Sequence, residues 1–222
     1  NKLFCVPMSG ETIKTLNNNQ SYFLRWISTN NELLHDKIFD KNLKKCLLQT
    51  ESRFIVISLS LKGRQDHANY IIIDNKLDDN NKKTAIRIEP LGFGNTPCYY
   101  NPTELDTQIL KYLKTLDNDN ITLVGNEATI SNIGPQSIEC SERREYNHDQ
   151  IFPNQGLCAT FSFLIIYTFF HLYLKTEDKD TDAGTKLFEN ILGQMNFNFI
   201  YSAYPGWVEE LGVSMNQKIL DG

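Results

Sequence analysis

Three short apolar segments near the middle of the chain constrain its fold most strongly. Residues 54–61, 70–74 and 84–88 are rich in Ile and other β-branched or apolar side chains. Runs of this length and composition predict strands, and the first predicts a central one. The connection at 75–83 is dense in Asp, Asn and Lys, which predicts a solvated hairpin loop. We therefore expect the core to be built on a sheet.

Helical patterns lie on both sides of these strands. Apolar residues at helical spacing predict helices over 31–49, 101–117, 159–174 and 185–195, with Asn101 as an N-cap. Further strands are predicted at 22–27 and 120–124. This order indicates one α+β domain over residues 1–222, with a mostly antiparallel central sheet flanked by helices. A core at about 50–176 would carry the chemistry, and residues 1–50 could be a substrate-binding extension.

Charge and cysteine usage exclude some classes of function. The formal net charge of −5 argues against nucleic acid as the main partner, because phosphate binding needs a basic face. The five cysteines form no C-x-x-C pair, which argues against a disulfide framework or a zinc site and suits a reducing compartment. The four histidines have no metal-binding spacing, so neither a metal nor a cofactor is expected.

The ends of the chain and its most apolar segment bear on targeting. Residues 1–10 lack the basic start and apolar run of a signal peptide, and the absence of an initial Met suggests an excised fragment. The apolar stretch 159–174 has 16 residues, fewer than the roughly 20 needed to span a bilayer. We therefore expect it to be a buried core helix and expect no membrane span.

A histidine and a glutamate mark one edge of the predicted sheet. His67 stands just before the strand 70–74, and Glu89 follows the strand 84–88 directly, with Pro90 and Gly92 turning the chain. If these strands pair as a hairpin, the start of one faces the end of the other. A carboxylate at Glu89 could then accept the imidazole N–H and fix its tautomer. Antiparallel pairing thus predicts a general base and its orienting acid.

Cys158 stands at the predicted start of the apolar helix. Unpaired backbone N–H groups and the positive end of the helix dipole favour a thiolate there. Gly156 would permit a tight turn and leave room for a substrate. An imidazolium nearby would lower the thiol pKa further, and backbone N–H groups could hold an oxyanion. Cys158 is therefore the candidate nucleophile.

These segments together resemble a known family. His-Ala-Asn before an Ile-rich strand, Arg-x-Glu-Pro-x-Gly, Gly-Pro-Gln, and Gly-x-Cys before an apolar helix occur in this order from about 67 to 174. The combination is similar to the Ulp1/adenain-type cysteine peptidases, and especially to versions from large DNA viruses and intracellular bacteria. The resemblance implies a papain-type fold, with His67 as base, Glu89 as orienting acid and Cys158 as nucleophile. It also implies a glutamine as oxyanion donor, for which Gln136 is favoured over Gln150.

The resemblance also implies a class of substrate. We expect a thiol protease that removes ubiquitin or a ubiquitin-like modifier from conjugates, in the host cytoplasm or nucleus. Processing of a viral polyprotein uses the same three side chains and remains open. An acetyltransferase with the same triad would need a basic patch for acetyl-CoA, and the acidic balance and the lack of a clear Lys/Arg cluster beyond Arg143-Arg144 count against it. An inactive relative that binds a modifier is the remaining alternative.

Overall fold

The computed structural model describes residues 3–7, 24–49, 51–63, 67–92, 100–124, 134–137, 157–176, 182–196 and 200. This part of the chain contains strands and helices in mixed order. Their order is β1 (Phe4–Cys5), β2 (Leu24–Ile27), β3 (Glu32–Leu34), α1 (Lys37–Leu48), β4 (Phe54–Lys62), β5 (His67–Asp74), β6 (Lys83–Ile88), α2 (Pro102–Leu116), β7 (Ile121–Val124), α3 (Leu157–Lys175) and α4 (Gly184–Gly193).

The strands form one mixed sheet in the order β3-β2-β4-β5-β6-β7, and β1 also pairs with β4. β2–β3, β4–β5 and β5–β6 are antiparallel, whereas β1–β4, β2–β4 and β6–β7 are parallel. The α+β class is confirmed, but the prediction of a mostly antiparallel sheet is wrong. Helix α1 lies in the connection from β2 to β4, and α2 lies in that from β6 to β7. Such crossovers return the chain in its original direction.

The central hairpin has the predicted register. Asp74 lies opposite Thr84, and Tyr70 lies opposite Ile88. Strand β5 begins earlier than predicted, because Leu61 at the end of β4 pairs with His67. His67 is therefore held in the sheet itself rather than in a loop before it.

The first predicted helix begins later than expected. Residues 32–34 form β3 against β2, and α1 begins at Lys37. The Asp36 side chain caps this helix by accepting hydrogen bonds from the backbone N–H groups of Ile38 and Phe39, at 2.8 and 2.7 Å. Leu33 and Leu34 fit the helical spacing, but they lie N-terminal to the cap, so the prediction of a helix over 31–36 is wrong.

Two apolar cores lie on opposite faces of the sheet. Ile71 and Ile73 of β5 point to the face covered by α1 and α2. Ile72, between them, points to the face covered by α3 and α4. Successive side chains of β5 thus point to one core and then to the other. For this reason the sequence of β5 is a continuous apolar run and does not alternate between apolar and polar residues.

Helix α3 is buried on one side only. Phe161, Ile165 and Phe169 are fully buried. Phe163, Tyr167 and Leu174 on the other side are 49%, 53% and 56% exposed. By length and composition, 158–175 is the one segment of the described chain that could cross a membrane, although its inner face packs on the sheet as in a core helix. The expectation of a buried helix is thus correct for half of its surface.

A disulfide bond joins Cys5 and Cys46, which are 41 residues apart in sequence. Parallel pairing of β1 with β4 brings Cys5 beside helix α1, where the Cα atoms of the two cysteines are 5.9 Å apart. The expectation that the cysteines form no disulfide is wrong for this pair. Among the described residues, Cys158 is the free cysteine.

The two sides of α3 should differ in their contribution to stability. Phe169→Ala removes a ring that packs edge-on against Phe54 and should lower the free energy of unfolding by about 3–5 kcal/mol. Phe163→Ala, the matched change on the exposed side, should lower it by about 1 kcal/mol or less. Urea unfolding followed by circular dichroism measures both values. Equal losses would contradict the packing of α3 described above.

Candidate active site

Antiparallel pairing of β5 with β6 brings His67 to Glu89. The hairpin pairing reaches Tyr70 and Ile88, so the chain segments just beyond that pair approach each other at one end of the sheet. His67 Nε2 lies 2.7 Å from Glu89 Oε1. Both side chains are almost completely buried, which removes competing water from this contact. The sheet thus joins the two residues that the sequence predicted to meet.

Glu89 is held by four hydrogen bonds. Oε1 faces His67 and also accepts from the backbone N–H of Leu91 at 3.1 Å. Oε2 accepts from Asn69 Nδ2 at 3.1 Å and from the hydroxyl of Tyr100. Burial works to raise the pKa of this carboxyl group, but the hydrogen bond and charge of His67, together with Arg87 and Tyr100, lower it below its ordinary value. Glu89 is therefore an ionised acceptor with a fixed orientation.

Cys158 reaches His67 from the opposite face of the sheet. It is the second residue of α3 and is 9% exposed. Burial works to raise the pKa of its thiol, but a hydrogen bond to His67, the charge of that ring and backbone hydrogen bonds of Ala68 and Ala159 lower it. Since Nε2 of His67 faces Glu89, Nδ1 is the ring nitrogen available to the sulfur.

The imidazole of His67 lies between two anionic groups. Burial alone would lower its pKa, but hydrogen bonds to Cys158 and Glu89 and the charges of both raise that pKa to about 9. The thiol pKa is shifted down and the imidazole pKa is shifted up, and both shifts favour the thiolate–imidazolium ion pair. The contribution of the imidazolium to folding stability is complete below its ordinary pKa of about 6.5 and is lost as pH rises through about 9.

A serine attaches the start of α3 to the strand that carries His67. Ser162, one turn after the nucleophile, donates from Oγ to the backbone oxygen of Ala68 at 3.2 Å. Ser162 is completely buried, and Ala68 directly follows His67. The side chain at 68 is a methyl group, which lets the helix approach the strand closely. This contact sets the position of Cys158 relative to the imidazole.

Gln136 is attached to the turn that follows Glu89. Its backbone N–H donates to the oxygen of Pro90 at 3.1 Å, and that of Gly134 donates to Leu91 at 2.9 Å. A Cβ atom at Gly134 would lie 2.2 Å from the Pro90 oxygen, so only glycine permits this approach. Within the described chain, Oε1 of Gln136 is buried without a hydrogen-bond partner. Gln136 is thus held beside the turn that follows Glu89, whereas Gln150 lies outside the described residues.

Four further residues support the site without having been selected from the sequence. Side chains two residues apart along a strand face the same side of the sheet, so Asn69 faces the same side as His67, and Arg87 the same side as Glu89. Counting in steps of two from His67 or from Glu89 would therefore have identified Asn69 and Arg87. Tyr100 and Asp106 come from the segment leading into α2 and from α2 itself. No local pattern predicts those two contacts, because they depend on how α2 packs on the sheet.

A groove of about 440 Å³ lies between the β2–β3 turn and α2, where its lining includes Glu32, His35, Lys111 and Tyr112. Over the described ranges, no three His, Cys, Asp or Glu side chains are grouped as metal ligands would be.

Comparison with known proteins leaves the family open. The chain matches no protein-family model, no curated protein and no solved structure. The resemblance therefore rests on the four motifs and on the arrangement of the residues they contain.

The ion pair should be visible in the reactivity of Cys158. Iodoacetamide alkylation, followed by peptide mass spectrometry between pH 5 and 10, should show a thiolate at pH values well below 8.5. His67→Ala removes the stabilising charge and leaves the effect of burial, so the midpoint should rise by more than about one unit. The rate at pH 6.5 should then fall at least about tenfold.

His35→Ala is the matched control for that experiment. His35 also pairs with a carboxylate, Asp40, but it lies in the groove at the β3 edge of the sheet, three strands away from β5. Its removal should leave the alkylation profile of Cys158 unchanged. Coincident profiles for the His67 variant and the unmodified protein would contradict the contact between His67 and the sulfur.

Proposed function

We propose that this protein is a cysteine peptidase with a papain-type fold similar to that of Ulp1 and adenain. The observation that carries the proposal is the hydrogen-bonded series Cys158–His67–Glu89, whose sulfur begins a helix and whose carboxylate is completely buried. A thiolate next to an imidazolium, with a third group orienting the ring, is the arrangement that acyl-transfer chemistry requires.

Each side chain has one role in the proposed reaction. The Cys158 thiolate attacks the carbonyl carbon, and a C–S bond forms as the carbonyl oxygen becomes an oxyanion. The His67 imidazolium then gives its proton to the leaving amine as the C–N bond breaks. Water, deprotonated by His67, hydrolyses the thioester and releases the acid and the thiolate. Glu89 holds the ring in one tautomer and stabilises its charged form.

Gln136 is our candidate for the oxyanion donor. Its backbone attachment beside Pro90 and its buried Oε1, which has no hydrogen-bond partner among the described residues, are the observations behind this choice. The amide nitrogen and oxygen are interchangeable in assignment, so the donor end can face the oxyanion. Backbone N–H groups at the start of α3 would complete the hole.

The favoured substrate is a conjugate of ubiquitin or a ubiquitin-like modifier. This choice rests on the resemblance, which implies an approach to the cysteine by a small-residue, glycine-rich C-terminal tail. Viral polyprotein cleavage, acetyl transfer and modifier binding without catalysis are the alternatives. The same resemblance suggests a viral or intracellular bacterial origin.

Residues 1–50 would provide part of the surface for the modifier. Leu33 pairs with Trp26, Trp26 with Leu61, and Leu61 with His67, so one row of side chains crosses the sheet. The groove near His35 thus lies three strand spacings, roughly 14 Å, from the base. This is within the footprint of a small protein partner. Neither nucleic acid nor a membrane span is part of the proposal.

We place the activity in the host cytoplasm or nucleus, where conjugates of such modifiers occur. The free Cys158 suits that reducing environment, and the Cys5–Cys46 disulfide is the observation that points the other way. That bond lies at the β1–α1 contact, at the opposite end of β4 from the pairing of Leu61 with His67. The proposed chemistry therefore does not depend on it.

Modifier probes with a C-terminal electrophile test the proposal directly. Ubiquitin or a ubiquitin-like probe should become covalently attached to the protein, and Cys158→Ala should abolish the attachment. His67→Ala should lower the rate of conjugate cleavage by several orders of magnitude because it removes the base, and circular dichroism should check that the variant is folded. Gel shift and mass spectrometry identify both the modifier and the attached residue.

The same panel separates the alternatives. Tight binding without attachment would indicate an inactive modifier-binding protein, and turnover of acetyl-CoA would indicate an acetyltransferase. Cleavage of extended peptides in the absence of any probe reaction would indicate a polyprotein protease. Attachment that persists in the Cys158 variant would refute the assignment of the nucleophile.

Substitution of each glutamine should identify the oxyanion donor. Gln136→Ala should raise the barrier to cleavage by about 2.7–4 kcal/mol, as loss of one such donor does elsewhere, with little change in binding. Gln150→Ala should leave kcat nearly unchanged. Steady-state kinetics with a conjugate of the modifier that reacts in the probe panel gives kcat for both variants. The opposite ranking would assign the role to Gln150.

A further inference from the structure

A buried series of polar side chains continues beyond Glu89, on the side away from His67. Arg87, two residues earlier on the same strand, has a completely buried guanidinium group. Its Nη1 donates to Asn69 Oδ1 at 2.6 Å and lies 3.7 Å from Glu89 Oε2. Asn69 in turn donates its Nδ2 to that same Oε2. The side-chain amide of Asn69 therefore bridges the two charged groups: its oxygen accepts from Arg87, and its nitrogen donates to Glu89.

The other edge of the guanidinium is held by helix α2. Arg87 Nε and Nη2 donate to Oδ1 and Oδ2 of Asp106, at 2.5 and 3.2 Å. The two hydrogen bonds run in parallel, so they fix the plane of the guanidinium group and also balance its charge. Asp106 is 19% exposed, whereas the side chains of Arg87 and Glu89 are completely buried.

The charges in this series alternate in sign from one side of the sheet to the other. Glu89 faces ionisable side chains of the strands and of the segment that leads into α2. Helices α2 and α3 supply one further ionisable side chain at each end of the series. From helix to helix, the described ionisable groups are Asp106, Arg87, Glu89 with Tyr100, His67 and Cys158. Each of the three inner ions, Arg87, Glu89 and His67, has a neighbour of opposite charge on either side, which is the arrangement that lets buried charges remain ionised.

We propose that Arg87 and Asp106 are positioning residues that act through Asn69 to keep Glu89 ionised and directed at His67. An unpaired carboxylate at this depth would take up a proton and stop accepting from the imidazole. Arg87 prevents that outcome, and Asp106 keeps the positive charge of Arg87 from opposing the imidazolium. The role rests on the proposed chemistry of Cys158, but it is read from the thiolate itself and needs no peptide substrate.

Neutralising Asp106 tests the proposal. Asp106→Asn retains the size of the side chain but leaves the charge of Arg87 unbalanced, so the midpoint of Cys158 alkylation should shift downward by about half a unit or more. Glu104→Gln is the matched control, because it removes the same charge two residues away on the same helix, where Glu104 bonds only Gln108. That variant should have the profile of the unmodified protein. Thermal unfolding of each variant is recorded alongside.

A double-substitution cycle distinguishes positioning from general stabilisation of α2. If Asp106 acts through Glu89, adding Asp106→Asn to Glu89→Gln should cause no further shift of the alkylation midpoint. An additive shift would overturn the proposal, as would an Asp106→Asn protein that is less stable but has an unchanged profile. If Asp106→Asn does not fold, Asp106→Glu keeps the charge but alters the paired contact, and a profile identical to the unmodified protein would then refute the role.

These outcomes are separate from those of the peptidase proposal. A midpoint shift without any modifier attachment would support the positioning role and refute the peptidase. Modifier attachment with identical profiles for Asp106→Asn and Glu104→Gln would support the peptidase and refute the positioning role.

Discussion

The buried contact between His67 and Glu89 is the interaction on which the rest of the site depends. It is made by the pairing of β5 with β6, so the backbone ladder of the sheet sets its geometry. A carboxylate without exposure is stable as an anion only when hydrogen bonds replace its lost water. Four such bonds surround Glu89, and they account for the polar residues that gather in an otherwise apolar sheet.

The site is assembled from both faces of the sheet. His67, Asn69 and Arg87 lie on the face covered by α2, whereas Cys158 belongs to α3 on the other face. They can meet because His67 opens its strand, where the sheet no longer separates the two sides. The hydrogen bond of Ser162 to the oxygen of Ala68 then sets how near α3 comes. The active arrangement is thus a property of the end of the sheet.

The two cores explain how this end is kept rigid. On one face α1 and α2 pack against Ile71 and Ile73, and on the other α3 and α4 pack against Ile72. A strand that is clamped on both sides has little freedom to shift its register, because a one-residue slip would exchange the two faces. The imidazole of His67, at the start of β5, is therefore held in a fixed position, as a general base would need to be.

Local pattern predicted the strands 70–74 and 84–88 and the place of His67, Glu89 and Cys158 beside their strands and helix, and a hairpin between the strands was the condition for His67 to meet Glu89. The approach of Cys158 to His67 depended on how α3 packs on the sheet. The direction of the outer strands, the Cys5–Cys46 bond and the start of α1 were decided only in the tertiary structure. So were the contacts of Tyr100 and Asp106 with the buried charges. These features arise where distant segments pack together, and packing between segments leaves no periodic trace in either one.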